Sequence, residues 1–168
     1  MKRVLIIGSG GSGKSTFAPR LGRKLGLPVI HLDKVFWHPG WVETPKDVWR
    51  GKVEELCTGD SWIMDGNYSG TLEARLDACD AVIFLDMPRV VCMWRVLKRV
   101  VTYRRSARPD MAEGCHERID LEFLSWVWSY PYRRRPKILA RLDELAGRKQ
   151  VYRLRSSAEV ERFLAEVG

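Results

Sequence analysis

Gly8, Gly13, Lys14 and Ser15 stand in the spacing glycine, four residues, glycine, lysine, serine, inside the run GSGGSGKS. That spacing suits phosphate chemistry. Gly8, Gly10, Gly11 and Gly13, with Ser9 and Ser12 between them, let backbone N–H groups turn inward on an anion. Lys14 brings a point charge, Ser15 brings a hydroxyl that can ligate magnesium, and Thr16 continues into the next element. The expected ligand is a nucleoside triphosphate, read as ATP with Mg2+. A glycine-rich turn without a ligand is the bland alternative. Against it stand an apolar β-branched run before the turn and a helical repeat after it, the context a phosphate cradle requires.

The elements that must position this loop follow the same order. RVLII at 3–7 reads as a strand buried on both faces, and Phe17, Leu21 and Leu25 recur at helical spacing up to Gly26 and Pro28, with Pro19 inside that helix. VIHLD at 29–33 reads as a second strand ending in Asp33. Thr44, Pro45 and Asp47 read as N-cap, first residue and N3 acid of a helix carrying Trp49, Val53 and Leu56, so residues 33–60 form one insertion between strands. SWIMD at 61–65, AVIFLD at 81–86 and QVYRL at 150–154 complete five strands, with a short helix near Thr71 to Leu76. Pro88 opens a long basic helix that fades near Arg104. Further helices carry Ile119 to Tyr130, Pro136 to Gly147, and a final segment capped by Ser156 and Glu159. Strands alternating with helices favour a parallel sheet, and the 168 residues suit a single α/β domain.

Composition excludes several classes. With 45% hydrophobic and 30% charged residues and no low-complexity tract, the chain is not a disordered one. No apolar run reaches the roughly 18 residues of a membrane span, and a cytoplasmic protein is expected. Cys57, Cys79, Cys92 and Cys115 are scattered, and with His31, His38 and His116 they match no zinc spacing, so loop or core roles are expected for the histidines and no structural metal. The net charge is +8, and residues 88–141 hold 13 lysines and arginines against 5 acids while the rest balances. Such a stretch attracts anions: a triphosphate, a phosphorylated substrate or a nucleic-acid backbone.

The loop, the short strands and the basic stretch together resemble the adenylate kinase group of P-loop kinases. That resemblance implies a three-layer P-loop NTPase fold with a five-stranded parallel sheet and a helical lid, here at 104–118. It implies that Asp65, before Gly66, helps hold magnesium through water. Asp86 also ends an apolar strand and is the weaker alternative. Arg95 and Arg99 fall seven and eleven residues after Pro88, the offsets of the phosphate-binding arginines in that group, although a solvated basic helix face would carry the same residues. Arg105, Arg108 and Arg118 are weaker lid arginines. Where adenylate kinases read Asp-Gly-Phe-Pro-Arg this chain has Asp65, Gly66, Asn67, Tyr68 and Ser69, so the arginine that would hold AMP is missing. Asp33 resembles instead the acid that addresses an acceptor hydroxyl in shikimate and gluconate kinases, with Phe36, Trp37, His38 and Trp41 as pocket walls or plain packing. Over nearly the full chain, GSGGSGKS, HLD at 31–33, DGNY at 65–68 and the run from Arg108 to Trp128 resemble the bacterial DNA topology modulation proteins.

The leading expectation is a small kinase transferring the γ-phosphate of ATP to an unidentified acceptor through Lys14, Asp33, Arg95 and Arg99. The second is an ATP-dependent nucleic-acid-binding protein using the basic third of the chain, and the third a nucleotide-gated module without an acceptor. The acceptor, the base preference and the oligomeric state stay open.

Overall fold

The computed structural model describes residues 1–103, 110–115 and 119–167. In chain order its elements are β1 (Arg3–Gly8), α1 (Lys14–Leu25), β2 (Val29–His31), α2 (Leu32–Phe36), β3 (Trp37–His38), β4 (Val42–Glu43), α3 (Lys46–Cys57) and β5 (Trp62–Asp65). A 3-10 turn (Ser69–Thr71) leads to α4 (Leu72–Ala78), β6 (Ala81–Leu85), α5 (Arg89–Thr102), α6 (Leu121–Arg133), α7 (Arg135–Leu145), β7 (Gln150–Leu154) and α8 (Ser157–Glu166).

The continuous apolar runs explain the layers. Val4, Leu5, Ile6 and Ile7 are at most 2% exposed, so β1 has no solvent side. Side chains alternate across it. Leu5 and Ile7 join Met64, Val82 and Phe84 under Trp49 and Val53 of α3, Leu76 of α4 and Leu142 of α7. Val4 and Ile6 join Ile63 and Ile83 under Phe17 and Leu21 of α1 and Phe163 of α8. The sheet runs β2-β5-β1-β6-β7 with every pair parallel, which is the expected five-stranded parallel sheet covered by helices on both faces. Ile6 lies opposite Asp65, Asp65 opposite His31, and Gly8 opposite Leu85, so the strands' carboxyl ends bring these residues to one edge, where open α/β sheets bind ligands.

Four local expectations are corrected. The second strand stops at His31, because pairing with β5 covers only Val29–His31, and Leu32, fully buried, starts α2; Asp33 therefore rides on a short helix. Thr44 does not cap α3. Its hydroxyl and its N–H both reach the Phe36 carbonyl, at 2.6 and 2.9 Å, closing the insertion, and Pro45 takes the cap position. Within 33–60 the chain also forms the antiparallel pair β3 and β4, which the sequence did not signal. The helix expected from Ile119 begins at Leu121, capped by Asp120, whose carboxylate accepts the Phe123 N–H. Of the expected Ser156 and Glu159 box the serine half forms, Ser156 Oγ accepting the Glu159 N–H at 3.1 Å, while Glu159 reaches one residue further back to accept the Arg155 N–H at 2.8 Å. Among the described residues no helix is long and apolar enough to cross a membrane.

Candidate functional site

Chain geometry makes the loop before it makes the site. Gly11 (φ 75°) and Gly13 (φ 99°) occupy the left-handed region, and a Cβ on Gly11 would run into the Cys92 carbonyl of α5. The loop is thus pressed onto α5. Gly13 is the N-cap of α1 and supplies no side-chain cap, so the positive end of the helix is left to a ligand. Lys14 lies back across the loop, its ammonium donating to the carbonyls of Gly8 at 2.8 Å and Ser9 at 2.9 Å. Desolvation holds its pKa below the ordinary lysine value, while the charges of Asp65 and Asp33 act in the opposite direction.

The acids divide into two kinds. Asp65, 4% exposed, accepts from His31 Nδ1 at 2.8 Å through Oδ1, and this bond raises the imidazole above its ordinary pKa against the opposing effect of burial. Asp65 Oδ2 is buried with no hydrogen-bond partner among the described residues. Asp86, by contrast, is held by two arginines, Arg135 Nε at 2.7 Å and Arg153 Nη2 at 2.7 Å. It ties β6 to β7 and α7 and is not among the residues lining the cleft described below.

Asp33 accepts the Tyr68 hydroxyl at 2.6 Å, and Asn67 Oδ1 accepts the Gly8 N–H at 3.3 Å. Both partners sit on the turn after Asp65. That turn is clamped by Arg75, fully buried, whose guanidinium donates to the carbonyls of Thr71, Gly66, Asn67 and Tyr68 between 2.8 and 3.3 Å. Burial lowers its pKa to about 10. The sequence reading gave Arg75 and Asn67 no part in positioning the site and set His31 aside as an ordinary loop or core residue. The DGNY run was the available signal, since its Asn and Tyr occupy positions where adenylate kinases carry Phe and Pro.

One cleft of about 1160 Å³ gathers most of these groups. Gly10, Gly11, Gly13, Lys14, Ser15 and Thr16 line it, whereas Gly8, Ser9 and Ser12 of the same loop are not among its lining residues. Arg95 and Arg99 of α5 line one wall. Arg95 also donates to the Ser12 carbonyl at 3.2 Å and to Ser157 Oγ at 3.0 Å, and the Arg99 guanidinium lies 5.8 Å from the Phe123 ring centre. Asp33, Trp37, Trp41 and Tyr68 line the opposite wall. Trp37 and Trp41 meet edge to face at 5.3 Å, and Trp41 holds φ 64°, left-handed backbone for a bulky side chain. Phe36 instead packs against Trp49 and Tyr68, and His38 is exposed with Nε2 3.1 Å from Thr44 Oγ1, so neither lines the cleft. The expected lid at 104–118, with Arg105, Arg108 and Arg118, lies largely outside the described residues. Its described portion, 110–115, rests on the insertion: the Gly40 N–H donates to the Gly114 carbonyl at 3.2 Å, and Cys115 Sγ donates to the His38 carbonyl at 3.2 Å.

The donor set fits magnesium. Among the described residues no three His, Cys, Asp or Glu gather as a metal cage, and Mg2+ needs none. It is held by one or two carboxylates together with substrate phosphates, and Asp65, whose buried Oδ2 has no hydrogen-bond partner among the described residues, lines the same cleft as Ser15.

Solved structures share the architecture. A shikimate kinase from Bacteroides thetaiotaomicron superposes with a TM-score of 0.60 at 15% identity, covering 98% of this chain and 95% of its own. A gluconokinase from Sinorhizobium meliloti 1021 superposes with a TM-score of 0.52 at 16% identity, covering 98% and 92%. The fold is that of the P-loop kinases. No protein-family model and no curated protein sequence matches the chain. At these identities the likeness shows this P-loop kinase fold and no more.

Proposed function

We propose that this P-loop kinase fold is an ATP-dependent phosphotransferase whose acceptor is a small molecule other than AMP. The observation that carries the reading is that one cleft is lined by the phosphate loop, Arg95 and Arg99 and also by Asp33, Trp37 and Trp41. Its volume exceeds the roughly 300–1,000 Å³ of an ordinary one-ligand pocket, as two substrates meeting there would require.

In this reading the backbone of Gly8 to Gly13, the start of α1 and the residues Lys14 to Thr16 hold the triphosphate, with Lys14 turning from the loop carbonyls to the phosphates. Arg95 and Arg99 stabilise the charge that builds on the phosphoryl oxygens during transfer. Ser15 and Asp65 hold magnesium, which supplies charge neutralisation of the phosphates when bound. Asp33, oriented by Tyr68, takes the proton of the acceptor hydroxyl as its oxygen bonds the γ-phosphorus and the bond to the ADP oxygen breaks. The resemblance to the topology modulation branch supports the same chemistry, because its motifs here are those of phosphoryl transfer. A cytoplasmic site of action agrees with the need for ATP.

Labelled ATP offered with a panel of hydroxylated and phosphorylated small molecules tests the reading. Transfer to one of them, lost by about 10²- to 10⁴-fold in Asp33→Asn with ATP affinity kept, is the expected result. Efficient transfer to AMP would overturn the acceptor assignment, and DNA binding that is salt-steep and independent of ATP, with no transfer, would favour the nucleic-acid reading.

A further inference from the structure

We infer that His31 is a positioning residue for the metal: it holds Asp65 Oδ1 so that Oδ2 is presented to a divalent cation. The inference rests on the reading of Asp65 as the magnesium-side acid. Its basis is geometric. His31 and Asp65 are direct register partners on the adjacent parallel strands β2 and β5, so their Cα atoms are fixed by ladder hydrogen bonds. Nδ1 meets Oδ1 at 2.8 Å with both side chains shielded, 14% and 4% exposed. That contact ties down one oxygen and the carboxylate plane. The other oxygen is buried and without a partner among the described residues.

The backbone holds the imidazole as firmly as it holds the acid. Immediately after His31 the chain leaves the sheet, and Leu32, fully buried, pins the start of α2. His31 is therefore fixed from both sides, by its strand pairing before and by a core residue after. A carboxylate on the last residue of a strand, with only its backbone restrained, would sample several rotamers. Bonded to His31 it samples few, which lowers the ordering cost of binding a cation with strict geometry. The arrangement matches a general rule of metal sites: the group that hydrogen-bonds a ligating side chain sets its orientation, and its removal costs about 10- to 100-fold in metal affinity.

Calorimetric titration with ATP, once with magnesium and once in EDTA, tests this on the wild type, His31→Ala, His31→Leu, His31→Asn and Asp65→Asn. Each variant is first checked for a cooperative thermal transition. The wild type is expected to bind ATP more tightly with magnesium. His31→Ala and His31→Leu should lose about 10- to 100-fold of that magnesium increment while keeping the affinity measured in EDTA. His31→Asn, whose amide places a donor near the position of Nδ1, should recover most of it. A merely structural histidine would change thermal stability and leave the increment untouched. A full increment in folded His31→Ala or His31→Leu, alongside its loss in Asp65→Asn, would overturn this inference and leave Asp65 as the magnesium acid. A full increment in Asp65→Asn would overturn the magnesium reading itself, and the role of His31 with it.

Discussion

Tyr68 donates its hydroxyl hydrogen to Asp33 over 2.6 Å, joining the turn after β5 to the helix that follows β2. The ring is packed against Phe36 and Trp49, with centres 4.7 and 4.8 Å away, so it is held whether or not the hydroxyl is present. Tyr68→Phe should therefore fold, lose about 1.5–3 kcal/mol of stability for a hydrogen bond to a charged group, and bind ATP as the wild type does. Urea denaturation and calorimetry measure both quantities, and an ATP affinity that fell with stability would show that the two walls of the cleft are not independent.

Lys14→Ala should leave the fold intact and remove most ATP binding. The ammonium bonds two carbonyls of its own loop, at 2.8 and 2.9 Å, and belongs to no core cluster. A cooperative unfolding transition close to that of the wild type, together with loss of the calorimetric signal, is the expected pair of results. Unchanged affinity in the folded variant would remove the loop from the site.

Asp86→Asn should separate the two strand-end acids. Asp86 is spoken for by Arg135 and Arg153, which are about one-third exposed, so solvent screening leaves a loss of about 1–2 kcal/mol in stability with no change in ATP binding or its magnesium dependence. A reduced magnesium dependence in Asp86→Asn would move the metal to that side of β1.

Burial pushes the Cys79 thiol from 9.0 up to about 11. Because the folded pKa is raised, the unfolded chain loses the proton first as pH rises. The stability linked to this group is thus complete below about pH 9 and lost as pH climbs through 11. Unfolding free energies measured from pH 8 to 11 should fall, by up to about 2–3 kcal/mol from this group, and Cys79→Ala should flatten the decline. Cys57, the one cysteine that is not buried, should be the first to react with a thiol reagent.

Arg75→Met removes a guanidinium that has no carboxylate partner among the described residues and takes one donor from each of the carbonyls of Gly66, Asn67, Tyr68 and Thr71, of which Tyr68 keeps the Thr71 N–H at 3.1 Å. Each buried acceptor left unpaired costs about 1–3 kcal/mol, more than the desolvation relieved, so a drop of several kcal/mol is expected in urea denaturation. Stability equal to the wild type would mean that the turn keeps its shape without the clamp.

The sheet was legible because its central strands are buried on both faces, so β1 and β6 read as continuous apolar runs and β5 as one that ends in Asp65, while helical segments alternate with them. The phosphate loop was legible because its spacing is nearly a covalent property of the backbone. What the sequence hid depends on contacts between distant segments. The end of β2 is set by where β5 stops pairing, the fate of Thr44 by a carbonyl eight residues earlier, and the pairing of Asp86 by arginines 49 and 67 residues beyond it. Arg75 and His31 escaped for the same reason, since a charge in a helix and a histidine in a strand look ordinary until their partners are in place.

Trp41 carries a further implication. A bulky residue in left-handed backbone costs about 1–3 kcal/mol, and glycine at the same position, following Gly40, would relieve it. The hairpin gives up that stability to aim an indole at the cleft beside Trp37. The tension belongs to the wall and not to the phosphate loop, so Trp41→Gly should relax the backbone at the cost of the edge-to-face contact with Trp37 and leave the conformation of Gly8 to Ser15 unchanged.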